Sequence, residues 1–296
     1  MRVLSLFDGI SCGMVALDRL GIPVEVYDAY EIDENAIKVS ETNYPQIKHL
    51  GDVFKATYKK GSYDLLLGGS PCTNWSIAKA SNGSETKAEG VGWELFMQYV
   101  RALREAEPKW FLYENNASMS NAIKESITKE LGVEPILIDS ADFSAQTRKR
   151  LYWTNLPVDM NYTPSTLLFS DIMQKDKEHK VKDFSKYKDT VRVSKDGLLV
   201  RYDTSGKGYY SQCNRARKPE QKWNTVVASL GGNDKNDIWV EPYVSWHCTP
   251  NELERLQTLP DDYTSCLSTD NKRFRCIGNG WTVDVIVHLL TALKGM

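Results

Sequence analysis

Short apolar runs alternate with longer stretches of helical period through the first half of the chain. Residues 3–7, 24–27, 64–67, 110–113 and 135–138 read as strands, and 13–20, 34–44, 94–107 and 120–131 read as helices. Strands that are apolar along their length and joined by helical crossovers imply a mostly parallel sheet covered on both faces, an α/β domain. Ligands of such sheets bind beyond the carboxyl ends of the strands, so the residues just after each run are where chemistry is expected.

From residue 158 the texture changes. The stretch 174–195 is heavily charged with mixed signs and reads as a solvated helix or linker. Residues 196–236 are rich in Gly, Arg, Lys, Asn and Tyr with little helical period. The region 158–240 is therefore expected to form a small irregular lobe with short strands. Thr249, Pro250 and Glu252 then spell a capped helix start over 249–256. An apolar helix over 278–293 carries Val283, Ile286, Val287, Leu290 and Leu293, so residues 241–296 are expected to rejoin residues 1–157 in one domain.

Composition narrows the function classes. The 296 residues suffice for one α/β domain and a smaller lobe. A formal charge of −2 excludes a bulk polycation, so any nucleic-acid contact must come from a local patch. No apolar run approaches the ~20 residues of a membrane span, and the first residues pass into a strand without signal-peptide anatomy. The six cysteines show neither CxxC nor Cys/His zinc spacing, which fits free thiols in a reduced compartment and no metal site.

Three segments carry the candidate chemistry: Gly69-Ser70-Pro71-Cys72, Glu114-Asn115, and Gln146-Thr147-Arg148-Lys149-Arg150. Each alone is ordinary, whether as a small buried thiol, a strand-end acid or a solvated cation pair. Together they place a nucleophile, an acid and two cations at the ends of three successive strand-like runs. His49, His179, His247 and His288 lie in no motif that would supply the base of a Cys-His hydrolase. Thiolate attack on carbon 6 of a pyrimidine needs instead an acid at ring nitrogen 3, and carbon 5 then takes a methyl group from a sulfonium donor. At the other end, Phe7-Asp8-Gly9-Ile10-Ser11-Cys12-Gly13 is a strand, a glycine turn and a helix start, fit for close approach of a charged ligand. Glu31 ends the second strand where an acid can take ribose hydroxyls. Asp52 follows at the next strand end, placed to accept from an adenine amine. GxxxxGK[ST] is absent, which argues against a triphosphate cradle, and an adenosine with a small charged tail fits better than a dinucleotide.

The ordered set FDGISCG, EID, GDV, GGSPC, WELF, YEN, AQTRKRLYW, NTVVAS and GNGWTVDVI resembles the motifs of DNA cytosine-5 methyltransferases over nearly the whole chain, and several segments are similar to the de novo type. The resemblance implies a Rossmann-like S-adenosylmethionine-dependent methyltransferase fold with a small irregular target-recognition lobe. It makes Cys72 the nucleophile, Glu114 the acid braced by Asn115, Arg148 the residue at the base and Arg150 its support. Phe7, Asp8, Gly9, Ser11 and Gly13 would line the methionine end of S-adenosylmethionine. Glu31 would hold the ribose, Asp52 the adenine amine, and Ile32 and Val53 the ring. Leu95 and Asn279-Gly280-Trp281-Thr282 would close the pocket, while Ser70 and Pro71 would flank the substrate. The product cofactor would be S-adenosylhomocysteine.

Thr73-Asn74, Asn116 and Asn279 depart from the usual pattern and leave the target context open. Arg201, Lys207, Arg215, Arg217, Lys218 and Lys222, interleaved with Tyr202, Tyr209, Tyr210 and Trp223, form the expected contact with double-stranded DNA. Gly206, Gly208, Gly231 and Gly232 allow its close approach, and the loop 76–92 is expected to act as a lid after base flipping. The resemblance implies a stand-alone bacterial or phage enzyme acting in the cytoplasm, as in restriction-modification. A tRNA cytosine-5 methyltransferase and a non-catalytic DNA-binding relative are the rivals, and the sequence does not give oligomeric state.

Overall fold

The computed structural model describes residues 1–71, 75, 85–183, 185–193, 199–202, 210–228, 237–241 and 243–295. They form two compact units, one of residues 1–139, 149–162 and 285–296, the other of 140–148 and 163–284.

The first unit is a seven-stranded sheet. In chain order its elements are β1 (Arg2–Leu6), α1 (Cys12–Arg19), β2 (Val26–Tyr30), α2 (Glu34–Asn43), β3 (Lys48–His49), β4 (Leu65–Gly68), α3 (Gly90–Ala106), β5 (Trp110–Asn116), α4 (Asn121–Leu131), β6 (Ile136–Asp139) and β7 (Lys149–Thr154). Strand order is β3-β2-β1-β4-β5-β7-β6, parallel except for β7, which runs against both β5 and β6. The expected α/β sheet is present, with two strands more than the apolar runs announce, β3 and β7. β7 begins with Lys149 and Arg150 and so lacks a fully apolar run. Its reversal matters for function, because its first residues face the end of β5: Arg150 pairs in register with Asn116.

Local sequence sets the helix starts. Asp33 accepts from the Asn35 amide ahead of α2, and Ser120 caps α4 through the Ile123 amide, with Gly132 left-handed at its end. The core between sheet and helices holds Leu4, Leu6, Leu66, Phe96, Tyr99, Tyr113 and Trp153. Gly68 is required there, since a Cβ would lie 2.8 Å from the Tyr99 ring.

The second unit carries α5 (Phe169–Ile172), β8 (Val181–Asp183), β9 (Val191–Val193), β10 (Leu199–Tyr202), β11 (Tyr210–Arg217), β12 (Asp237–Glu241), β13 (Val244–His247), α6 (Pro250–Leu256) and α7 (Asp270–Asn279). Its six strands are ordered β8-β13-β12-β11-β10-β9. The charged stretch expected as helix or linker instead supplies β8, a 3-10 turn over Ser185–Thr190 and β9. The capped helix at Thr249 is present as α6: Thr249 Oγ1 accepts from the Glu252 amide, and Glu252 accepts from the Thr249 amide.

Two boundaries differ from expectation. Residues 241–284 belong to the second unit, because Cys248, Leu253, Leu256 and Ile277 share one core with Phe169, Trp223, Val226 and Ile238. The single helix expected over 278–293 is broken at 280–282 into α7 and α8 (Val283–Leu290). An 18-residue window within Asp270–Leu293 reaches a mean hydropathy of 1.3, but this break and the burial of most of that window make it core material.

Candidate active site

At the end of β1 the chain turns sharply. Phe7, Gly9 and Ser11 all have left-handed φ, near +57 to +59°, and the space where a Gly9 Cβ would point is open. Beneath this turn Asp8 accepts from Ser5 Oγ at 2.5 Å, Tyr27 at 2.8 Å and Ser11 Oγ, and Ser11 Oγ also meets Ser40 Oγ at 2.5 Å. Burial pushes the Asp8 carboxyl above its usual range, against those hydrogen bonds. The side chains of Asp8 and Ser11, expected to line the methionine end of the donor, are joined here in one hydrogen-bonded group that shapes the turn. Glu31 is the group that faces the turn. Its Oε2 accepts from the Gly9 amide at 2.8 Å, and its Oε1 from the Ile32 and Asp33 amides at 2.7 and 2.8 Å. A carboxylate anchored by three amides is fixed in direction and keeps lone pairs for a diol.

Beside it Asp52 caps a short turn over Val53–Lys55 by accepting from the Phe54 amide at 3.0 Å. Two large apolar side chains are open to solvent here, Ile32 at 74% and Phe54 at 52%, while Val53 is buried. Exposed apolar surface beside an anchored acid suits a flat heterocycle with a sugar. From α3, Arg101 donates to the carbonyls of Val53 at 2.8 Å and Ala56 at 2.9 Å, which holds this turn in place. Leu95 is half-buried on the same helix.

The chemistry end lies at the carboxyl ends of β4 and β5, which are neighbours in the sheet. Glu114 is nearly buried, and Arg150 Nε donates to its Oε1 at 3.0 Å. Asn115 Nδ2 donates to the Ser70 carbonyl at 3.2 Å and to Tyr113 Oη at 3.0 Å, so it braces the segment leading to Cys72 as well as the strand of the acid. Asn116 is turned inward: its Oδ1 accepts from the Ser118 amide and hydroxyl, which commits it to the turn after β5. Ser70 is buried and Pro71 exposed. Cys72, Thr73, Asn74 and most of the expected lid, 76–84, lie outside the described residues. The rest of that lid packs at the start of α3, where Trp75 Nε1 donates to Glu85 at 3.0 Å and a Cβ on Gly92 would meet Trp75 at 2.6 Å.

Arg148 has different surroundings. In the second unit its guanidinium donates to the carbonyls of Val226 at 2.7 Å, Gly280 at 3.0 Å and Gly278 at 3.2 Å. Gln146 beside it donates to the Leu256 carbonyl and Gln257, and accepts from the Val226 amide. Thr282 Oγ1 donates to Gln257 and accepts from Ser140. Of the expected pocket-closing residues, Gly280 and Thr282 are thus tied into this knot through their own polar atoms, with Trp281 half-buried and Asn279 exposed. Arg148, expected at the base, makes these carbonyl contacts, and Arg150, expected as its support, is the one that donates to Glu114.

The expected DNA-contacting cations also divide. Lys222 Nζ donates to the carbonyls of Ala141, Ser144 and Ser165, and Arg217 to Asn224 and the Lys222 carbonyl. Both act inside the unit. Trp223 is fully buried and stacks on Phe169 at 4.1 Å, so it is core and not a base platform. Lys218 is exposed, with its ammonium 5.0 Å from the Trp239 ring centre. Arg201 lies on β10 and Arg215 on β11; Lys207, Tyr209 and the four glycines at 206, 208, 231 and 232 are outside the described residues.

The profile of the C-5 cytosine-specific DNA methylases matches residues 1–295, which includes every motif described above. The chain belongs to that family. Among its relatives, the orphan methyltransferase M.SPRI of Bacillus phage SPR is 34% identical over 197 residues, covering 61% of this chain and 44% of the phage protein. The chain thus spans under half the length of that relative. The type II methyltransferase M.NgoPII of Neisseria gonorrhoeae is 26% identical over 99% of this chain and 95% of its own. The solved structure of the Entamoeba histolytica methyltransferase EhMeth has the same fold, with a TM-score of 0.70 at 14% identity over 99% and 97% of the two chains.

In this family member the candidate acid and the segment leading to Cys72 lie at the carboxyl ends of β5 and β4. A groove of about 560 Å³ at the opposite ends of β1, β4 and β5, lined by Met1, Pro23, Asp64, Lys109 and Trp110, is remote from them. Sequence reasoning missed Phe54, Arg101 and Tyr113. Only Phe54 left a signal, as a large apolar residue directly after the Gly51-Asp52-Val53 motif. Arg101 and Tyr113 act through contacts across 45 and 43 residues of chain.

Proposed function

We propose that the chain transfers a methyl group from S-adenosylmethionine to carbon 5 of cytosine in double-stranded DNA, with Cys72 as the nucleophile. The observation that carries this reading is the Glu114–Arg150 pair at the end of β5, beside the strand that leads into Gly69-Ser70-Pro71-Cys72. The residues at β1, β2 and the Asp52 turn fit the donor: an open glycine turn, an amide-anchored carboxylate for the ribose, and exposed Ile32 and Phe54 for the adenine. When bound there, S-adenosylmethionine supplies an electrophilic methyl group on a sulfonium centre.

The target cytosine must leave the duplex, at a cost of a few kcal/mol recovered from contacts to the DNA. The Cys72 thiolate adds to carbon 6, forming a sulfur–carbon bond and moving ring electrons toward nitrogen 3. Glu114 supplies the proton or hydrogen bond there. Carbon 5, now electron-rich, takes the methyl group as its bond to the sulfonium sulfur breaks, leaving S-adenosylhomocysteine. Loss of the carbon 5 proton to a base then expels the thiolate and restores the aromatic ring. Arg150 takes the role at the base that the sequence pattern had given Arg148: it orients the Glu114 carboxylate and keeps N–H donors for the substrate.

The test is methyl transfer from S-adenosylmethionine into duplex DNA and into tRNA, read as 5-methylcytosine by nucleoside mass spectrometry. Product in DNA is expected, falling on the order of 10²-fold in Glu114→Gln. Product in tRNA alone contradicts the DNA reading, and product in neither contradicts catalysis.

A further inference from the structure

Tyr113, directly before the candidate acid, is fully buried, with its ring 5.1, 4.8 and 5.8 Å from those of Phe96, Tyr99 and Trp153. A phenylalanine would serve that packing equally well. The hydroxyl has partners of its own. It shares a hydrogen bond of 2.6 Å with Ser70 Oγ and accepts from Asn115 Nδ2 at 3.0 Å, and the same amide donates to the Ser70 carbonyl at 3.2 Å. The three side chains form a closed, buried triangle. Burial pushes the phenol above its ordinary range, so it remains an O–H group at working pH.

Tyr113 and Asn115 are two apart on β5 and share a face of the sheet, while Glu114 between them projects from the other face, where Arg150 meets it. One strand thus holds the acid on one side and grips Ser70 on the other. Ser70 is followed by Pro71, whose ring limits the backbone, and then by Cys72. We propose that Tyr113, acting through Ser70, is a positioning residue that sets the chain entering Cys72 against the strand carrying Glu114. This rests on the reading of Cys72 as the nucleophile.

The test uses Tyr113→Phe, Ser70→Ala and the double variant of the full chain. Single-turnover methyl transfer at saturating S-adenosylmethionine is expected to fall about tenfold in each single variant, as misplacement of a reacting group does. Affinities for S-adenosylhomocysteine and DNA should stay within about twofold, and the double variant should lose no more than either single one, because both remove the same bond. Single-variant rates within about twofold of the unaltered chain, or losses that multiply in the double variant, overturn the proposal. If Tyr113→Phe does not fold, Ser70→Ala carries the same test. A second readout needs no methyl transfer: alkylation of Cys72 by iodoacetamide, followed by peptide mass spectrometry with Cys266 as the reference thiol. A changed rate at Cys72 alone supports the positioning role even in a chain that transfers no methyl group; an unchanged rate overturns it.

Discussion

Two arginines two residues apart in one motif do different work. Arg150 donates to a carboxylate and Arg148 to three main-chain carbonyls, and each prediction follows from what would be left unpaired. Arg148→Lys keeps the charge but cannot reach all three acceptors, so it should cost about 2–3 kcal/mol of stability, read as a lower urea midpoint. Arg150→Lys should shift that midpoint little and lower methyl transfer tenfold or more, because the planar donor set at Glu114 is gone. Equal effects of the two substitutions on both readouts would contradict this division. The motif was legible in the sequence, but its division of labour was not. What separates the two residues is a set of carbonyls 78, 130 and 132 positions away, which no local pattern encodes. The same reason hid the inward roles of Lys222 and Trp223.

Elements whose character is written locally were legible: apolar strands β1, β4 and β5, and the capped start of α6. Elements that depend on partners were not. β7 opens with two cations, and the strands of the second sheet run three to eight residues with mixed polarity. The break between α7 and α8 falls where Gly280 gives its carbonyl to Arg148 and Gln257. Gly278 near the end of α7 lies under the 226–228 segment, where a Cβ would stand 2.4 Å from the backbone of Val227 and Ala228. Backbone cannot yield as a side-chain tip can, so Gly278→Ala should destabilise by about 2–4 kcal/mol in chemical denaturation. On α3, Arg101 ties the helix to the Asp52 turn. Arg101→Met should weaken S-adenosylhomocysteine binding severalfold by calorimetry, while single-turnover methyl transfer at saturating donor stays within about twofold. A lower rate with unchanged affinity would contradict this role for Arg101.

At the scale of the molecule, acid sensitivity comes from carboxylates held by arginine. Arg255 donates to both oxygens of Asp261 at 2.6 and 2.8 Å and keeps its carboxyl below the usual 3.8. A carboxyl depressed in the folded chain contributes stability above the unfolded value and loses it as pH falls through the folded one. Asp261→Asn should therefore lower Tm slightly at neutral pH, by under ~1 kcal/mol for so exposed a pair, and the two Tm curves should converge below about pH 3.8. Asp8 acts in the opposite sense: its raised carboxyl favours the folded chain as pH falls toward the ordinary carboxylate range. Fold and family membership were legible from the ordered motifs, because the candidate residues follow the strand ends in sequence order. The division into two units was not, since residues 241–284 join the second core through contacts made only in the folded chain. The central claim, a covalent attack by Cys72 on a flipped cytosine, is tested most directly by incubating the chain with S-adenosylmethionine and duplex DNA containing 5-fluorocytosine in varied contexts. Denaturing mass spectrometry should show a methylated protein–DNA adduct mapped to Cys72 and absent in Cys72→Ser. An adduct that persists in Cys72→Ser, or none in any context while 5-methylcytosine still forms in ordinary DNA, would contradict it.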